Sequence, residues 1–221
     1  MNAHVNLIVS RALSVLGLVK RFWKGFNNQL VTKALYCALI RSRLEYACAV
    51  WSPYQSTYLT KLESVQKKFA MFALPYRRDS TTYRLPPYND RLNELWFEAL
   101  WCRRLVSQVT VIYDLLMGPM QCNNLRRQLI PNPTRRTRSS EWLNIPYHRV
   151  DYGKYEPLNA CRLGFNFAQN IFLSGPSRAG FRRGCTEFFM PLNEGAAISS
   201  GGHSFERPRS GWVSNIYHLI N

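Results

Sequence analysis

The segment LTKLESVQKKFAMFAL (residues 59–74) decides the fold. Its apolar residues recur every three or four positions, which predicts an amphipathic helix over about residues 56–74. We expect the apolar stripe to be buried and the lysines of the segment to face solvent. The stripe comprises Leu59, Leu62, Val65, Phe69 and Phe72, and the lysines away from it are Lys61, Lys67 and Lys68.

Two further helices are predicted before this segment. In the first, apolar residues recur at helical spacing from Ile8 to Trp23, and Lys20, Arg21 and Lys24 fall on the opposite side. The second runs from about residue 29 to residue 50. It is apolar nearly all round, so we expect it to be the buried central helix.

A long helix is predicted next, from a cap at Asn89 or Asp90 through Leu116. We expect its aromatic residues, Trp96 among them, to lie in the core. Residues 131–140 are an extended basic linker, and a short helix is predicted over about residues 159–173. Gly, Ser and Pro dominate from about residue 185 onwards, which indicates a poorly ordered tail.

The prediction is therefore an all-α protein: a helical module, then a helical hairpin, then a largely irregular C-terminal region. Its divisions are 1–78 (basic three-helix module), 79–130 (hairpin), 131–184 (basic linker and short helix) and 185–221 (tail).

The charge balance points to a polyanionic partner. The chain has 29 Lys and Arg against 13 Asp and Glu, a net charge of +16. Residues 1–78 hold most of this excess, since Glu45 and Glu63 are their only acids. An ordinary solvated helix face mixes both signs, so this imbalance favours a surface that meets phosphates. The alternative is a basic protein whose charges are merely solvated.

Residues for catalysis are missing from the sequence. Two-metal phosphoryl transfer needs clustered carboxylates, and no two of the four aspartates are adjacent. No phosphate-binding loop, nucleophile elbow or zinc-ligand spacing occurs. We therefore expect no enzyme activity, no catalytic residue, no metal and no cofactor.

The six cysteines are widely spread, which favours a reducing, intracellular compartment, nucleus or cytoplasm. No signal peptide and no long uninterrupted apolar run is evident, so secretion and a membrane partner are not expected.

Three patterns in order resemble the segment that follows the palm in reverse transcriptases of non-LTR (LINE-type) retrotransposons. They are VSRALSVLGLVKR (residues 9–21), LYCALIRSRLEYACAVWSPY (residues 35–54) and LTKLESVQKKFAMFAL. Two later stretches, LPPYNDRLNELWFEALWCRR and IPYHRVDYGKYEPL, are similar to the continuation in Jockey-type elements.

The resemblance implies a thumb-like module that holds a template–primer duplex, with the catalytic palm and its aspartates upstream. The chain would be a fragment of an RNA-directed DNA polymerase, and the parent polyprotein would supply a palm domain. Its expected partner is an RNA or RNA–DNA duplex, bound independently of sequence through phosphates. The candidate contact residues are Lys20, Arg21, Lys24, Lys61, Lys67, Lys68, Arg77 and Arg78.

Two alternatives remain open from the sequence. One is a decayed transposon-derived remnant, structural or protein-interacting, with no specific ligand. The other is a peripheral membrane protein that uses the basic amphipathic first helix. We expect Tyr46 and Trp51 to be core residues rather than stacking residues.

Overall fold

The computed structural model describes residues 2–23, 28–74, 86–118, 120–131 and 142–190. Their helices are α1 (Asn2–Trp23), α2 (Gln29–Leu35), a π-helical segment (Tyr36–Arg41), α3 (Ser42–Glu45), α4 (Cys48–Trp51), α5 (Ser56–Ala73), α6 (Tyr88–Glu94), α7 (Leu100–Met117), α8 (Asn123–Gln128), α9 (Asp151–Lys154), α10 (Pro157–Phe167), α11 (Gln169–Leu173) and α12 (Arg178–Phe189).

The predicted all-α class is confirmed for this described part. It contains no β-strand, and a single isolated bridge pairs Pro131 with Leu143. The chain forms two compact units. The first lies within Met1–Tyr46 and Pro53–Trp101, and the second within Ala47–Ser52 and Cys102–Pro191. Residues of the predicted 79–130 hairpin are thus shared between the two units.

Helix α1 buries one narrow stripe in the first unit. Val5, Ala12, Leu16 and Val19 are at most 4% exposed, and the helix packs on α5 and on the α2–α3 segment. The successive spacings of seven, four and three residues keep these side chains on one face. The segment Ala3–Phe22 is also long and apolar enough to cross a membrane by length and composition. Core helices and signal sequences pass the same test, so it does not decide between them.

The second predicted helix differs from expectation in two ways. It ends at Glu45, because Ala47 adopts a left-handed conformation (φ 49°), and it is buried on one side only. Leu30 is 73% exposed, whereas Tyr36 and Ile40 are fully buried. Both buried residues belong to the π-helical segment, and their spacing of four places them on the same side, facing the core.

An aromatic cluster joins three parts of the first unit. The rings of Tyr36 and Phe69 stack with centroids 4.0 Å apart, and Phe97 lies 5.5 Å from Tyr36. Gln66 is 1% exposed and bridges the same parts. Its Oε1 accepts from the Tyr36 hydroxyl at 2.9 Å, and its Nε2 donates to the carbonyl of Glu98 at 2.8 Å.

The long helix predicted over residues 89–116 is wrong: two helices, α6 and α7, replace it. Helix α6 ends at Glu94, and Trp96 follows in a left-handed conformation (φ 54°). The chain turns at Trp96, and a new helix, α7, begins at Leu100. Trp96 is 89% exposed, so its expected place in the core is also wrong.

The new helix start is capped by Glu63 of α5. The first backbone N–H groups of a helix lack partners within it. Glu63 accepts from the N–H of Leu100 and from the N–H of Trp101, both at 3.1 Å. It also accepts from the Tyr88 hydroxyl at 2.6 Å. Burial raises the pKa of the Glu63 carboxyl, although these hydrogen bonds and nearby Lys67 act to lower it.

The second unit is more ordered than the sequence indicates. Phe165, Phe181 and Phe189 are fully buried, and α12 continues past residue 185 to Phe189. Arg178 donates to both carboxylate oxygens of Asp114, at 2.6 and 2.7 Å. The predicted irregular region therefore holds a packed helical core between residues 142 and 190.

We predict that Glu63→Ala lowers the free energy of unfolding by about 1–3 kcal/mol, because two backbone donors and a phenol lose their acceptor. Chemical denaturation followed by circular dichroism measures this loss. Glu94→Ala is the matched control, since Glu94 is exposed at the end of α6. Equal stability of the two variants would contradict the capping role.

Candidate nucleic-acid interface

Helices α1 and α5 lie side by side and run in the same direction. Near their starts, the Lys61 Nζ donates to Asn6 Oδ1 at 3.1 Å. Near their ends, the Lys20 Nζ lies 5.4 Å from the centroid of the Phe72 ring. These two contacts fix which side chains of α1 and α5 face each other.

A shallow, open groove of about 640 Å³ follows the contact line of the two helices. We call it the α1–α5 groove. Six of its eight lining residues are polar or cationic, and the other two are apolar residues of α1. The residues are Asn6, Val9, Ser10, Leu13 and Ser14 of α1, with Lys61, Ser64 and Lys68 of α5.

Two of the predicted contact residues line the groove, and two more lie beyond it on the same side of the helices. Lys61 and Lys68 line it directly, and they lie seven residues apart on α5, about 10 Å along the helix axis. Lys20 lies beside α5 one turn further on, and exposed Arg21 lies seven residues beyond Ser14 on the same face of α1. The structure thus brings these four cations to one side of the first unit.

Of the other four candidates, only Lys67 lies in the described part of the chain, and it does not line the groove. The Lys67 Nζ lies 5.2 Å from the ring centroid of Tyr88, on a different side of α5 from Lys68. Lys24, Arg77 and Arg78 lie outside the described residues.

No acid lines the groove among its described residues. Both acids of residues 2–74 are engaged elsewhere. Glu45 of α3 lies 3.9 Å from Arg41 of the preceding π-helical segment, and Glu63 caps α7. The positive potential of the groove is therefore not cancelled by carboxylates on its walls.

The polar residues between the cations were not among the predicted contact residues. The Ser14 hydroxyl donates to the carbonyl of Ser10, and the Ser64 hydroxyl donates to the carbonyl of Lys61. Their oxygens keep lone pairs that can accept, for example from a ribose 2′-hydroxyl. Helical spacing could have placed Asn6 and Ser10 on one face, but only the packing of α5 shows what they face.

Gly17 continues this face of α1 one turn beyond Leu13. A Cβ atom built there would meet no atom within 4 Å. Packing inside the protein therefore does not require a glycine at this position. Because Gly17 has no side chain, a ligand can approach the backbone of α1 closely at this position.

Two residues of the recognised patterns serve the fold instead. Gln66 joins Tyr36 to the carbonyl of Glu98, as described above. The Trp51 ring lies 4.2 Å under the Arg104 guanidinium, in a cation–π contact within the second unit. Tyr46, by contrast, is 78% exposed, so its expected core position is wrong.

The described residues contain no group of three or more His, Cys, Asp or Glu placed to hold a metal ion. Of the four aspartates, Asp114 is paired with Arg178 and Asp79 lies outside the described part.

No protein-family model, no curated protein and no solved structure matches the chain.

We predict that Gly17→Ala raises the free energy of unfolding by about 0.5–1 kcal/mol, because alanine favours the helix and meets no neighbour. Gly164→Ala is the matched control within helix α10. A Cβ there would lie 3.0 Å from Val109 Cγ2 and 3.1 Å from Leu105 Cδ1, so we expect no such gain. Thermal denaturation compares the two. A destabilising Gly17→Ala would show that this face of α1 is packed.

Proposed function

We propose that the chain binds an RNA or RNA–DNA duplex, independently of sequence, along the α1–α5 groove. The observation that carries this proposal is the gathering of Lys20, Arg21, Lys61 and Lys68 on one acid-free face. Such a face attracts a polyanion whatever its base sequence, because phosphates carry the charge and bases carry the information.

The dimensions of the groove suit one strand of a duplex. From Lys61 to Phe72, beside which Lys20 lies, α5 rises by about 16 Å. In B-form DNA each strand rises about 3.4 Å per phosphate along the duplex axis, so a line of this length parallel to such an axis spans about five phosphates. Small polar side chains between the cations would meet sugars rather than bases, which supports binding through shape and 2′-hydroxyls.

In this proposal the chain is the part of a non-LTR retrotransposon reverse transcriptase that follows the palm. It binds the duplex and does not catalyse the reaction, for which a palm domain of the parent polyprotein would supply the catalytic residues. The resemblance of three ordered motifs supports this origin. The rival proposal, a transposon-derived remnant with no specific ligand, predicts no duplex affinity.

We predict that Lys68→Gln weakens binding of a short blunt RNA–DNA hybrid and makes the dependence of log K on log salt shallower by about one. Lys67→Gln is the matched control, because the neighbouring lysine lies over Tyr88 instead. Fluorescence anisotropy at several salt concentrations, with two hybrids of unrelated sequence, measures both slopes.

The double variant Lys61→Gln/Lys68→Gln should reduce the slope by about two. If Lys67→Gln and Lys68→Gln changed the binding equally, this would contradict binding of the duplex at the α1–α5 groove. No binding by the unaltered chain at low salt would overturn the proposed function and favour the remnant.

A further inference from the structure

Trp96 occupies a position that proteins usually give to glycine. The N–H of Phe97 donates to the carbonyl of Leu92 at 2.9 Å, and the N–H of Trp96 donates to the carbonyl of Asn93 at 3.0 Å. This pair of bonds is the Schellman motif that closes many helices. The residue at its centre must be left-handed, and Trp96 is so at φ 54°.

Burial of the side chain does not offset this backbone strain at Trp96. A Cβ atom disfavours the left-handed conformation, and bulky side chains adopt it rarely. Burial of the indole could offset that cost, but the residue is 89% exposed. Leu95 and Ala99 already fill the local core at 0% and 6% exposure. An observed outlier of this kind points to function rather than stability.

The surroundings of Trp96 indicate what it would contact. The residues of the preceding turn, Asn93 and Glu94, are exposed and polar, so no apolar surface continues from the indole along α6. A protein partner needs a contiguous apolar patch, whereas stacking on a nucleobase needs only one aromatic plane. The carboxylate of Glu94 would repel a phosphate, so a base is the part of a nucleic acid that fits here.

We propose that Trp96 is a stacking residue for an unpaired nucleobase, such as one in a single-stranded extension of a bound duplex. This inference rests on the proposed function, since Trp96 and the α1–α5 groove belong to the same compact unit. The α1–α5 groove would bind the phosphate backbone of the duplex, and the Trp96 indole would stack on an unpaired base.

The test uses the full chain and its Trp96→Gly variant. Glycine suits the left-handed position, so the variant should unfold about 2–8 °C higher than the unaltered chain. Affinity is measured for a blunt RNA–DNA hybrid, for the same hybrid with a three-nucleotide extension, and for a single-stranded oligonucleotide. The unaltered chain should bind the extended hybrid about 5- to 150-fold more tightly than the blunt one.

Trp96→Gly should lose that advantage and bind the blunt hybrid unchanged. Trp96→Phe is the matched control, because it keeps both a ring and the strain, and should keep most of the advantage. A less stable Trp96→Gly variant would show that the indole packs in the fold, which overturns the inference. Unchanged binding of all three probes would also overturn it and point to a protein partner.

The two proposals can fail separately. If the unaltered chain does not bind the blunt hybrid, the proposed function fails. The single-stranded oligonucleotide then tests Trp96 alone: binding lost in Trp96→Gly supports the inference, and no binding overturns it.

Discussion

The carboxylate of Glu63 is the contact on which the first unit depends. It satisfies two backbone donors at the start of α7 and the hydroxyl of Tyr88, so one side chain joins α5 to the entrance of α6 and to α7. These hydrogen bonds stabilise the start of α7 at Leu100, directly after the turn at Trp96. The bonds are charge-assisted, which offsets the cost of burying a carboxylate. Gln66, one turn further on, ties the same helix to Tyr36 and Glu98.

This division of roles explains the sequence of α5. Within Leu62–Lys68, the buried residues and the two internal polar ones build the fold, and the outward lysines remain for a ligand. Neighbouring Lys67 and Lys68 differ because the helix turns by about 100° per residue. One cation therefore lies over Tyr88, while the other lines the α1–α5 groove. The two acids of residues 2–74 do not reach the groove: Glu63 caps α7, and Glu45 lies beside Arg41 of the preceding π-helical segment.

Periodicity alone could predict the buried stripes of α1 and α5, and it placed Lys20, Arg21, Lys61 and Lys68 on outward faces. It could not predict the break at Trp96. The residue that caps α7 comes from α5, 37 positions earlier, and the turn itself carries tryptophan where glycine is the usual signal. The apolar composition of the second predicted helix also led to an overestimate of its burial. Composition shows that residues are apolar but not whether a neighbouring element covers them. Asn6 and Ser10 became candidates only once α5 was seen to lie parallel to α1.

The central claim is that one face of the first unit, rather than its total charge, holds the duplex. Acylation of lysines in the full chain, with and without a blunt RNA–DNA hybrid, tests it by mass spectrometry of each modified site. We predict that the hybrid protects Lys20, Lys61 and Lys68 from modification, while Lys67 of α5 and Lys154 of the second unit react as before. Equal protection of all five lysines, or protection of none, would contradict it.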